Sequence, residues 1–467
     1  MRVLLIAYDH DAYTTWFPHG LAYIAAVLRK AGHEVSVYSQ DQYHWPESHL
    51  KKFLIEKEPE LVAISLIAGY YQYRKLLKIS EVINSVPNRP IYILGGHGPS
   101  PEPEYFLKKS GADYIVHGEG EITVVELLDA LEEEKDTSRI NGISYLKDGV
   151  LVKTNEREMI KKEDLDTIPL PAWDLFPIDY YAMLQFPGMK STDRSMQVVT
   201  SRGCPYHCNF CYRMDTGTRL RSVKSIIEEI RELKERYQIN YIVFSDELTM
   251  VGVKRTQELC EGILDAGLDI KWYCNGRINF AKPDLLRLMK KAGCVFIGYG
   301  VESFDAETLE RMNKMISPKQ IVEGIETTQQ VGIKPGLFMI FGNIDENRET
   351  LQKAVDFLLK YDDHSQLRTI RALTPYPGSP LYYHAIEKGL LKDVADFYEN
   401  KHINSDLLSV NFTQLSDEEF YQALCEANKT LLKNYYGHML KAALEQTERL
   451  YLSKDVTFRG YRHSRHS

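Results

Sequence analysis

Short apolar runs alternate with helix-spaced stretches through the N-terminal third of the chain. Arg2–Ala7 is an apolar run that ends in polar loop residues, and Leu21–Lys30 follows with helical spacing as far as Gly32. Glycine there suits the left-handed residue that closes a helix. The alternation continues as strand Glu34–Tyr38, helix Pro46–Glu56, strand Leu61–Leu66, helix Tyr71–Val86 and strand Ile91–Leu94. Helix Pro103–Lys109, strand Asp113–Val116 and helix Glu121–Glu132 complete it. Apolar strands joined through helices predict a doubly wound parallel sheet covered on both faces. Ligands on such sheets bind at the carboxyl ends of the strands. Ser65, Gly95-Gly96-His97-Gly98 and Gly118-Glu119-Gly120-Glu121 fall at those ends. Glycine pairs let a backbone approach a ligand closely, but ordinary βα turns carry the same residues, so the pattern alone leaves both open.

Between Ser144 and Thr154, Asp148-Gly149 separates two β-rich runs, a hairpin signal. From Asn155 to Arg194 charges mix with Pro169, Pro171, Pro177 and Pro187, the composition of a linker laid across two domains. Its aromatics Trp173, Phe176, Tyr180 and Tyr181 read as packing residues. A second strand–helix series then begins, with strands at Met196–Thr200, Asn240–Ser245, Trp272–Asn275, Val295–Val301, Pro335–Phe341 and Gln366–Leu373. Helices are expected at Val223–Tyr237, Lys254–Ala266, Pro283–Lys291, Pro318–Val331 and Glu349–Tyr361. From Tyr382 the chain is helical, and Ser416–Tyr436 opens on a capping-box Ser-Asp-Glu-Glu. The expected organisation is a first domain over 1–140, a connector over 141–194, a second domain over 195–380 and a helical C-terminal region over 381–467.

Composition narrows the partners. A formal net charge of −8 argues against nucleic acid as the main partner. The basic end, Arg459–Ser467, reads as solvated tail. No run approaches the roughly 18 apolar residues of a membrane span. Met1–Ala7 reads as a first strand rather than a leader, which points to a reducing cytoplasm. Four of the seven cysteines, Cys260, Cys274, Cys294 and Cys425, stand singly among apolar residues as small hydrophobes.

The other three are different. Ser201-Arg-Gly-Cys-Pro-Tyr-His-Cys-Asn-Phe-Cys-Tyr puts Cys204, Cys208 and Cys211 on one short loop with spacing C-x3-C-x2-C. Iron–sulfur cubanes normally take four thiolates. Three leave one iron open, and an open coordination position is where metal chemistry happens. Zinc held by the three sulfurs and His207 is the alternative, although His207 sits between two of the ligands, where ring and loop compete for space.

With Phe210 ahead of the last cysteine, this run resembles the signature of the radical S-adenosylmethionine (SAM) superfamily. The resemblance implies a [4Fe–4S] cluster on Cys204, Cys208 and Cys211, SAM chelated to the open iron, and reductive cleavage to a 5′-deoxyadenosyl radical. It also implies a partial (β/α)6 barrel, which the six strand–helix units match. Family positions then suggest SAM contacts at Phe210, at Asp246 and Glu247 after the second strand, and at Gly300, Glu302 and Ser303 ending the fourth. The family's Gly-Gly-Glu is replaced here by Ser245-Asp-Glu. Glu302 would accept ribose hydroxyls, and Arg277 would pair with the SAM carboxylate. Gly342-Asn-Ile-Asp-Glu is expected near the adenine, and Arg371 with Thr374–Pro380 on the substrate side.

The first domain resembles the flavodoxin-like cobalamin-binding domain found ahead of many such barrels. Ser65, Gly95, Gly96, His97, Gly118 and Glu119 are the implied cobalamin contacts. The family's D-x-H-x-x-G loop is absent from Asp9–Gly20, where neither His10 nor His19 has the flanking residues. The expectation is cobalamin with its nucleotide tail in the sheet and no histidine beneath cobalt. Together the resemblances imply a cobalamin-dependent radical SAM methyltransferase acting on an unactivated carbon, or a phosphinate, of a small molecule or peptide. A flavodoxin or ferredoxin would supply electrons. Oxidative cyclisation or rearrangement without methyl transfer is the alternative.

Overall fold

The computed structural model describes residues 1–11, 15–214 and 217–458. The basic segment Arg459–Ser467, and residues 12–14 of the loop searched above for a histidine motif, lie outside the described residues.

The first sheet has seven strands: β1 (Arg2–Ala7), β2 (Glu34–Ser39), β3 (Leu61–Ser65), β4 (Ile91–Gly95), β5 (Tyr114–Val116), β6 (Ile143–Lys147) and β7 (Val150–Lys153). Their order is 2-1-3-4-5-6-7, and β1 to β5 run parallel. The hairpin β6–β7 adds antiparallel to β5 through Ile115↔Ser144 and Val116↔Ile143, so the first sheet continues beyond residue 140. Its turn has Asp148 and Gly149 at φ of 52° and 78°, the pair of left-handed residues that a two-residue hairpin needs.

The second sheet holds β8 (Ser195–Val198), β11 (Tyr241–Phe244), β12 (Lys271–Gly276), β13 (Cys294–Glu302), β14 (Lys334–Phe341) and β15 (Ile370–Ala372). These are parallel and ordered 8-11-12-13-14-15. A small antiparallel pair, β9 (Ser201–Arg202) with β10 (Arg219–Leu220), brackets the cysteine loop. The last parallel strand is shorter than its apolar pattern suggests. Arg368 turns inward to bind Asp362, Asp363 and the Pro335 carbonyl, which ends strand geometry ahead of Ile370.

The connector is part of the core. Trp173 and Tyr181 are 1% and 0% exposed. Trp173 packs on Phe17 at 4.7 Å between centroids, and the Ala172 amide donates to Ala22 O. One apolar core therefore runs from helix His19–Lys30 through the connector to Met196 and Val198 of β8. The C-terminal helix extends over Asp417–Tyr451, past the expected Tyr436, and starts at a capping box between Ser416 and Glu419. Phe420 stacks on Phe341 of β14 at 5.0 Å. Among the described residues, no helix is long and apolar enough to cross a membrane.

Candidate active site

Asp246, at the end of β11, sets where the cysteine loop starts. One carboxylate oxygen accepts the Thr200 and Ser201 amides at 2.6 and 2.8 Å, and the other accepts the Thr200 hydroxyl at 2.7 Å. The side chain is 2% exposed, so it anchors the chain leaving β8. Glu247 beside it is exposed and within electrostatic reach of Cys204.

A second clamp holds the loop from the other side. Met312 O accepts the Asn209 amide at 3.1 Å, Asn313 O faces Cys208 Sγ at 4.0 Å, and Asn313 Nδ2 donates to His207 O at 2.9 Å. Asn313 and Met315 are left-handed at φ of 53° and 55°, a costly backbone of the kind that collects at functional sites. Cys208 is buried, Cys204 half-buried and Cys211 exposed, and all three are free thiols. His207 Nδ1 is engaged by Arg213 at 2.6 Å. The donor set therefore suits three corners of a cluster better than one zinc ion.

The end of β13 makes the next wall. Its ladder with β14 slips between Gly300 and Glu302, a bulge, and Glu302 takes φ of 67°. Glu302 pairs with Lys314 at 3.0 Å, both side chains little exposed, and a Cβ on Gly300 would intrude on this pair. Ser303 is buried, its hydroxyl accepting the Asp305 amide. Lys314 lies 5.6 Å from the Phe210 ring, and burial, opposed by Glu302 and Cys208, leaves its pKa raised overall. Lys314 and its turn carried no sequence signal that singled them out. Arg277, past β12, is 6% exposed, with its guanidinium carbon 3.5 Å from the Tyr206 ring centroid and one nitrogen donating to Lys314 O. Toward the expected adenine side, Glu346 accepts the Gly342 and Asn343 amides. Arg371 is exposed and pairs with Asp406 at 2.6 Å.

All six implied cobalamin contacts, Ser65, Gly95, Gly96, His97, Gly118 and Glu119, line one cavity of about 340 Å³. Gly96 has φ of 94°, and a Cβ there would come within 2.6 Å of Leu66 O and 3.0 Å of Ser65 Oγ. Among the described residues, nothing lies within 4 Å of the Cβ position at Gly118, which opens the backbone to a ligand. His19 also lines the cavity. It bonds to the Gln197 backbone while its buried Nε2 has no partner among the described residues, and burial pushes its pKa down to about 3.

The fourth wall comes from the other domain: Val199, Arg202 and Met214. Arg202, two residues before Cys204, pairs with Glu119 at 2.7 Å and Glu121 at 2.6 Å, and lies 5.6 Å from the Tyr23 ring. Glu119 also takes Arg219 at 2.7 Å and the Ile160 amide. Burial opposes its ionisation, but Arg219 and Arg202 outweigh that and hold the carboxyl below its usual range. His97 meets Tyr212, next to Cys211, edge-on at 6.0 Å. The two candidate cofactor sites thus share a boundary.

A three-thiol loop at one set of strand ends, facing a glycine-lined cavity at another, defines an enzyme with two cofactor sites. Residues 198–358 match the Radical SAM superfamily and residues 7–128 the B12 binding domain. An uncharacterized methyltransferase of Pyrococcus horikoshii is 31% identical over 97% of this chain and 99% of its own length. The anaerobic magnesium-protoporphyrin IX monomethyl ester cyclase of Rubrivivax gelatinosus is 27% identical, over 85% of this chain and 72% of its own. The hopanoid C-3 methylase of Methylococcus capsulatus is 26% identical, over 94% and 81%. The solved structure of OxsB, a cobalamin-dependent SAM radical enzyme with aqua-cobalamin and SAM bound, superimposes with a TM-score of 0.75 over 97% of this chain and 71% of its own, at 18% identity. The chain belongs to the radical SAM superfamily, in the group that carries an N-terminal B12-binding domain. Its cofactors are a [4Fe–4S] cluster, SAM and cobalamin.

Proposed function

We propose that this enzyme is a cobalamin-dependent methyltransferase acting on an unactivated carbon of a small molecule or peptide. The observation that carries the proposal is the shared boundary: Arg202 belongs to the cysteine loop and also walls the glycine-lined cavity. When bound, cluster and SAM supply a carbon-centred radical, and cobalamin supplies methyl-transfer chemistry. In this proposal Cys204, Cys208 and Cys211 hold the cluster. Glu302 leaves Lys314 to accept ribose hydroxyls, Gly300 keeps the space above that pair clear, and Ser303 fixes the turn below. Phe210 packs under the loop, and Glu247 offers an acceptor beside Cys204. Asp246 acts by positioning the loop. Ser65, Gly95, Gly96 and Gly118 line the cobalamin tail, with His97 and Glu119 at its domain boundary. A second cavity of about 730 Å³, bounded by His117, Thr154, Arg157 and Tyr212, adjoins the first at Gly118 and is the place for substrate. A flavodoxin or ferredoxin is the proposed reductant.

The methyltransferase relatives support this choice, and the full-length match to one of them supports it most. Cyclase relatives keep oxidative cyclisation as the second possibility. Anaerobic turnover with SAM carrying a deuterated methyl separates the two. Label in the product, with S-adenosylhomocysteine formed, is the expected result. Product without label, at one SAM consumed each, would favour the cyclase.

A further inference from the structure

Arg277 is a buried cation without a carboxylate partner among the described residues. Its face is covered by Tyr206, one terminal nitrogen is given to Lys314 O, and its buried Nε has no partner among the described residues. The fork still carries N–H groups beyond the one given to Lys314 O, so the carboxylate role expected from sequence stays open. Yet an uncompensated guanidinium in a closed site is costly. Tyr206 leads the groups that interact with it electrostatically, followed by Cys208 and Cys204, and Cys208 is also hydrogen-bonded to it. Tyr206, which covers it, lies between those two cysteines in sequence, and the turn that receives its nitrogen also meets Cys208 Sγ through Asn313 O. Lys314, the other cation here, is already offset by Glu302.

We propose that Arg277 acts on the cluster: it is a positioning and tuning residue whose buried charge raises the cluster's reduction potential. Iron–sulfur potentials respond to net charge, hydrogen bonds to sulfur and solvent exposure, and a fixed cation beside the thiolates stabilises the added electron. The inference rests on the cluster assignment and is independent of which reaction follows.

The test uses reconstituted full-length protein, titrated anaerobically without SAM and followed by electron paramagnetic resonance. Arg277→Gln is expected to shift the midpoint to more negative potential, and Arg277→Lys, which keeps the charge, to restore most of the shift. A midpoint in Arg277→Gln equal to the parent's overturns the proposal. Should Arg277→Gln fail to hold iron, Tyr206→Leu decides: hydrating the guanidinium face must lower the midpoint, and no shift overturns the idea. Parent protein lacking a [4Fe–4S] signal would instead count against the cluster assignment.

Discussion

His402 is fully buried, stacked on Phe397 at 4.9 Å, and neither of its ring nitrogens has a hydrogen-bond partner among the described residues. Burial pushes its pKa down to about 4 from 6.5. Between those values the unfolded chain binds the extra proton, so stability rises with pH across the window and is lost on acidification. The loss is on the order of 3 kcal/mol. His402→Phe keeps the stack and removes two unsatisfied polar atoms, so it should leave stability unchanged or higher at pH 7. Its melting temperature should also fall less than the parent's between pH 7 and pH 5. Gly96 is the reverse case. Gly96→Ala puts a Cβ against Leu66 O in a left-handed backbone, and should cost on the order of 1–2 kcal/mol in denaturant titrations. Cobalamin affinity, followed by absorbance, should weaken with it.

Among the elements, the strand ends carry the chemistry, and much of their order was legible. Apolar runs gave both sheets because parallel strands buried on two faces need no alternation. The cysteine spacing and the two glycine clusters were legible because they are contiguous. What stayed hidden arises from contacts distant in sequence. The hairpin was visible at Asp148-Gly149, but nothing local says that Ser144 pairs with Ile115. Asp246 looked like a ligand residue, yet its oxygens are spent on Thr200 and Ser201, more than 40 positions away. Lys314 and Arg202 escaped notice because isolated basic residues usually sit on solvated surfaces. Asp246→Ala would leave two amides and a hydroxyl without an acceptor, a cost on the order of 3 kcal/mol. Its melting temperature should drop, and iron bound after reconstitution should fall below one cluster per chain, whereas Glu247→Ala should retain iron.

Across the whole molecule, the junction between domains is both apolar and charged. The connector seals it with Trp173 and Tyr181, while Arg202, Arg219, Glu119 and Glu121 hold the rim. Removing one partner from a buried pair is costlier than the pair's net worth, because the remaining charge stays enclosed. Glu119→Gln removes the carboxylate that Arg202 and Arg219 share, so it should lower the melting temperature and speed protease cleavage in the connector. Arg202→Lys, which cannot span two carboxylates, should produce a milder version of both effects.

The cavity proposed for the corrinoid is unfinished while only the first domain exists. Val199, Arg202 and Met214 close its remaining side, and they emerge during synthesis together with the iron-binding loop. Closure of the cavity therefore has a built-in order: its last side arrives only with the cysteine loop.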